Sequence, residues 1–136
     1  MDGCAFSLVK VVRCRRAPPR GETVRMIFHV VPLAEWAADP GLPYRPASLA
    51  REGFVHCSAD AAGALAVAGA HYRDVPGTLL ALVVDEELLT AEVRWEESGT
   101  DVFPHVYGPL ERSAVTAVLE VRRGTDGEAR ELVPRA

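Results

Sequence analysis

Apolar positions along this chain fall in short runs separated by turn residues, a pattern that predicts strands more often than helices. Met26-Ile27-Phe28-His29-Val30-Val31 is the first convincing strand. Pro32 can begin a short helix over residues 33–38, which Pro40-Gly41-Leu42-Pro43 ends. One helical turn is expected at 47–51, then a strand at 53–57. Ser58 is a good N-cap for an alanine-rich helix over 59–73. The run Thr78-Leu79-Leu80-Ala81-Leu82-Val83-Val84 is continuously apolar and reads as a central strand buried on both faces. A helical turn at 85–89 follows, then strands at 91–96, 102–107 and 113–122, and a short edge strand near 129–133. Pro104 marks its strand as an edge or a bulge. The sum is an α+β fold with a compact split β-sheet core of about six strands, one main helix and short helical pieces.

Composition narrows the class. A chain of 136 residues with 49% hydrophobic and 25% charged residues fits one domain. The boundary falls near Met26: residues 1–25 are a basic, proline-containing extension of linker composition, and 26–136 form the domain. Met26 is a candidate for the native start. Residues 1–25 carry six Lys/Arg and two Asp/Glu, whereas the remainder carries nine and 17. An acidic body argues against nucleic acid as a partner, because phosphate contacts need clustered cations. No apolar run approaches the roughly 20 residues that span a bilayer. Three cysteines with no metal-ligand spacing and no secretory signal point to a reducing cytoplasm.

Candidate chemistry gathers on the strands. In Gly53-Phe54-Val55-His56-Cys57-Ser58, alternation puts Phe54, His56 and Ser58 on one face and Val55 and Cys57 on the other. That geometry argues against a Cys57–His56 dyad and makes Cys57 a small buried hydrophobe. His29 and His105 occupy similar apolar strands, the latter followed by Tyr107. The three histidines could line a pocket or hold zinc, although no HxH or HxxxH spacing demands a metal, and none is assigned. His71, late in the helix, is a surface or dipole partner. Glu96 and Glu97 follow Trp95 at a strand end, where one of them could position a substrate hydroxyl and a solvated terminus is the ordinary role. Arg45 and Arg51 precede the His56 strand as candidate phosphate clamps. The familiar nucleotide and hydrolase signatures are absent.

The succession Ile27-Phe28-His29-Val30-Val31-Pro32, Glu35-Trp36, Tyr44-Arg45-Pro46-Ala47-Ser48-Leu49 and Glu52-Gly53-Phe54-Val55-His56-Cys57-Ser58 resembles the bacterial family of domains of unknown function 952. Arg94-Trp95-Glu96 and Phe103-Pro104-His105-Val106-Tyr107-Gly108-Pro109-Leu110 continue the likeness, which covers about residues 26–122. The resemblance implies an ADP-ribosyltransferase-like fold, distantly similar to RNA 2′-phosphotransferases, with a cleft for NAD. It places His29, His56 and Glu96 as catalytic residues, with His105 or Tyr107 as the alternatives to Glu96. Arg45, Phe54, Ser58, His105 and Tyr107 would bind substrate. It implies NAD as a substrate and no tightly bound cofactor; the reaction would be ADP-ribosyl or 2′-phosphate transfer, or NAD hydrolysis. A non-catalytic nucleotide-binding module and a small histidine-based metal enzyme are the other readings.

Overall fold

The computed structural model describes residues 25–135 and, ahead of them, the backbone of one short strand, Val12–Arg13 (β1). The expected flexible extension over 1–25 therefore lies largely outside the described residues. The remaining elements are β2 (Met26–Pro32), α1 (Leu33–Trp36), α2 (Ala47–Glu52), β3 (Val55–His56), α3 (Ala61–His71), β4 (Leu79–Asp85), β5 (Val93–Ser98), β6 (Asp101–Val106), β7 (Val115–Arg123) and β8 (Ala129–Pro134). The strands form two four-stranded antiparallel sheets, ordered β2-β4-β7-β8 and β1-β5-β6-β3. Mixed α+β architecture is as the sequence predicts.

The first sheet is buried on both faces. Along β4, Leu80, Leu82 and Val84 join Ile27 and Val31 in a core shared with Val55, Cys57, Trp95 and Val106 of the second sheet. Leu79 and Ala81 point the other way, with Val30, toward Ala64 and Ala68 of α3. Two alanines one turn apart let this helix sit close on the sheet. The layers are thus α3, first sheet, second sheet. The cap of α3 differs from expectation: Asp60, not Ser58, accepts from the Gly63 amide (2.7 Å). Ser58 is engaged elsewhere, through its backbone.

That engagement explains why β3 is only two residues long. His56 pairs with His105 and Val55 with Val106, and the Cys57 amide then donates to the Pro104 carbonyl (3.1 Å). The reciprocal bond would need a Pro104 N–H, which proline lacks. The chain leaves the ladder there, and Ser58 instead exchanges both backbone bonds with Phe28 of β2 (2.9 and 2.7 Å). Of the edge or bulge expected from sequence, the edge is not found: Pro104 lies within its sheet, between β5 and the foreshortened β3.

One arginine fixes the loop between α1 and α2. Arg112 donates from Nε to the Leu42 carbonyl (2.7 Å) and from its two terminal nitrogens to those of Trp36 (2.7 Å) and Asp39 (3.1 Å). Its guanidinium also lies over the Trp36 ring at 4.2 Å. A lysine cannot reproduce this planar fork. R112K is expected to lower unfolding free energy by about 1–2 kcal/mol, measured by urea titration, with faster amide exchange at Leu42; unchanged exchange would contradict the clamp.

Candidate functional site

The outward face of the second sheet carries the site. Antiparallel register sets Arg94 opposite His105, and Glu96 opposite Phe103. Alternation therefore keeps Arg94, Glu96, His105 and Tyr107 on the face away from Trp95 and Val106. Since Cys57 and Pro104 occupy a hydrogen-bonded position, His56 and His105 meet at the adjacent non-hydrogen-bonded one, where side chains approach most closely. Their ring centroids are 5.2 Å apart, edge to face. Phe54 stacks on His105 (4.2 Å, 21°) and reaches Tyr107 (5.2 Å).

Glu96 is the centre of this group and only 1% exposed. His105 Nδ1 lies 2.5 Å from Glu96 Oε1, and the Tyr107 hydroxyl donates to both carboxylate oxygens (2.8 and 3.0 Å). Two side chains thus converge on one buried carboxyl group. Burial, followed by the bond to Glu96, pushes the Tyr107 phenol up to about 12. The Nδ1 bond orients the His105 ring, the arrangement by which a carboxylate positions an acid–base imidazole. Arg94 lies over the Tyr107 ring at 4.2 Å and pairs with Glu92.

The second imidazole is held differently. His56 is more than half exposed, and its Nε2 contacts Glu52, the last residue of α2. Gly53, at φ 89°, makes the left-handed turn that brings Glu52 back to His56. The contact holds the Glu52 carboxyl below its ordinary value.

His29, Ser58 and Arg45 are not part of this face. His29 shares the inward side of β2 with Ile27 and Val31, and its Nδ1 donates to the His56 carbonyl (2.7 Å). Burial lowers its pKa to about 4, so the ring is neutral at ordinary pH. His29 thus supports His56 through the backbone, from the far side of the sheet. Ser58 is buried at the junction of the two sheets, because β3 ends before alternation can carry it to the outer face. Arg45 is exposed beside a recess of about 380 Å³ that includes Glu35 and Tyr44, whose hydroxyl donates to Glu35 (3.1 Å). The expected site residues are therefore divided: Phe54 and His56 meet His105 and Tyr107, which bond Glu96, while His29 and Ser58 lie behind them. Cys57 is a core residue whose thiol burial pushes upward, as its alternation predicts. Among the described residues, no three His, Cys, Asp or Glu side chains are placed to share a metal ion.

Sequence reading missed Glu52 and Arg94. Alternation gave the signal for Arg94, two residues before Glu96; Glu52 depended on the Gly53 turn.

A two-sheet α+β fold with a carboxylate–imidazole cluster on one sheet defines the class, and comparison places the chain within it. Residues 30–118 match the family described as "Protein of unknown function (DUF952)". The chain belongs to that family. It is similar to protein CC0527 from Caulobacter crescentus, whose crystal structure aligns with 32% identity and a TM-score of 0.68 over 77% of this chain and 93% of that one. The solution structure of CC0527 aligns with 27% identity and a TM-score of 0.57 over 77% and 91%. No curated protein matches the chain. No helix among the described residues is long and apolar enough to cross a membrane.

Proposed function

We propose that this domain is an acid–base enzyme acting on a nucleotide of the NAD class, with His105 as the proton-transfer group and Glu96 as the carboxylate that orients it. The observation that carries the reading is the buried Glu96 carboxylate receiving both His105 Nδ1–H and the Tyr107 hydroxyl. The split two-sheet core supports an ADP-ribosyltransferase-like fold as its frame. In the reaction, the C1′–N bond to nicotinamide breaks and nicotinamide leaves with the bonding pair. An acceptor hydroxyl or water bonds to C1′, and its proton passes to His105 Nε2. The ribose becomes cationic on the way, and a buried carboxylate supplies a fixed negative field for it. Tyr107 and Phe54 offer aromatic surface to the base or the nicotinamide, and His56 stands at the rim.

Calorimetry with NAD, ADP-ribose and nicotinamide tests binding, and nicotinamide release tests turnover. Saturable heat from at least one of them is expected, with release reduced at least about 100-fold in His105→Ala. No heat from any of the three at millimolar concentration would end the proposal. The Phe54 ring lying face to face on His105 favours one other reading, a binding module in which that stack is the ligand's seat. Binding without release, weakened by Phe54→Ala and indifferent to His105→Gln, would select it.

A further inference from the structure

We propose that Arg94 is the residue by which the Glu96–His105 face recognises its substrate, taking the phosphate next to the reacting ribose in the place now held by Glu92. That role rests on the nucleotide reading of the site. It narrows the substrate class to molecules that carry a phosphate one ribose away from the bond that breaks. Register puts Arg94 beside the proton-transfer group. Arg94 pairs with His105 across β5 and β6, and His105 pairs with His56 across β6 and β3, so the three residues form one row over three strands. The Tyr107 amide donates to the Glu92 carbonyl (2.8 Å), which sets Glu92 and Tyr107 in the next row of the same face. Among the outward residues of these three strands, Arg94 is the one whose positive charge persists at every working pH.

The guanidinium is held in place but weakly occupied. It lies over the Tyr107 ring at 4.2 Å, and the Tyr107 hydroxyl is itself tied to buried Glu96 (2.8 Å). The pinned ring fixes the plane of the guanidinium, and a stacked guanidinium directs its N–H edges sideways, toward an anion beside it. One edge meets Glu92: Arg94 Nη2 donates to Glu92 Oε1 (3.0 Å). That pair is open to solvent, with side chains 40% and 63% exposed, and an ion pair so exposed contributes little stability. A phosphate accepts the planar fork through two parallel bonds, which favours it over the carboxylate it displaces. The arginines expected from sequence to clamp phosphate are not on this row. Arg45 borders the recess between α1 and α2, and Arg51 lies on α2.

The test uses the full chain, isotope-labelled for NMR, with inorganic pyrophosphate, ADP-ribose and adenosine as probes. Pyrophosphate and ADP-ribose should shift the Arg94 Nε–Hε resonance saturably, and adenosine should leave it in place. Arg94→Gln should weaken both anions at least about tenfold, the factor that a charge-assisted bond carries. Glu92→Gln should tighten them severalfold, because the competing carboxylate is gone. Damage to the fold would weaken binding in both variants, so the opposite signs identify recognition. No saturable shift at Arg94 with either anion would overturn the proposal, as would equal affinity in Arg94→Gln or unimproved affinity in Glu92→Gln. Shifts gathered at Arg45 would also overturn it, by assigning the anion to the recess between α1 and α2. Recognition and reaction fail separately. Nicotinamide release and ADP-ribose affinity both unchanged in Arg94→Gln would remove Arg94 from its role and leave the acid–base reading standing. Anion binding at Arg94 without any release would keep the role and end the reaction.

Discussion

Glu96→Ala is expected to destabilise the domain by about 3–5 kcal/mol, the range for removing one partner of a buried ionic or charge-assisted group. The alanine leaves His105 Nδ1–H and the Tyr107 hydroxyl without their common acceptor, in a place where His105 is 6% exposed. Each orphaned donor accounts for about 1–3 kcal/mol of that cost if water does not reach it. Glu96→Gln separates charge from shape. Its carbonyl oxygen can accept from both donors, and its amide can donate to the Tyr107 oxygen, so the cost should be no more than about 1–2 kcal/mol. The two variants should then part company. Alanine unfolds at much lower urea, and glutamine stays near the wild type while losing the negative field at the site. Equal midpoints for alanine and wild type would mean that Glu96 is not the acceptor holding this face together. A glutamine variant as unstable as alanine would locate the requirement in charge and remove hydrogen-bond geometry from the explanation.

The contrast also shows what the sequence made legible. His105 and Tyr107 were readable because alternation is local: once a strand is assigned, which of its side chains share a face follows from parity. Glu96, expected from its strand-end position to be solvated and placed in the site only by the family resemblance, is instead buried. The same parity correctly sent Cys57 to the core. It failed at Ser58, two residues beyond His56, because the strand stops at Cys57. The cause is the missing N–H of Pro104, about 50 residues away in sequence, and the waiting backbone of Phe28. Pairing partners of that range leave no periodic trace. His29 illustrates the complementary error. Its strand resembles those of His56 and His105, yet β2 belongs to the other sheet, so a similar pattern presents its histidine to the opposite side. The alanine helix was clear in extent, but Asp60 displaced Ser58 as its cap because Ser58 was committed to the sheet junction. Sequence thus located the site's residues more securely than it located the partition between them.

Acid should weaken the fold through His29, and the window follows from its two protonation states. The folded ring titrates at about 4 because burial opposes its charge, against an ordinary value of 6.5. Between these values the unfolded chain binds a proton that the native ring refuses, so unfolding becomes easier as pH falls. The contribution is fully present above pH 6.5, declines through the interval, and is lost at about pH 4, for a total of about 3 kcal/mol. Other carboxylates and imidazoles titrate in the same interval, so the informative quantity is the difference between the wild type and His29→Gln. Glutamine can donate to the His56 carbonyl and carries no titrating charge. The wild type should lose about 3 kcal/mol relative to that variant between pH 7 and pH 4, measured by urea unfolding at closely spaced pH; a difference independent of pH would exclude the buried neutral ring. His29→Leu supplies the remaining arm. It should share the flat profile of glutamine but sit about 1–2 kcal/mol lower throughout, because the His56 carbonyl loses its donor. The first structure to loosen in acid should be β3, since it has two residues of ladder and depends on that carbonyl for its outer fastening. His56 lies on that strand and Phe54 immediately precedes it. The stack on His105 should therefore open before the central strand exchanges, which joins the stability of the fold to the integrity of the site at one buried imidazole.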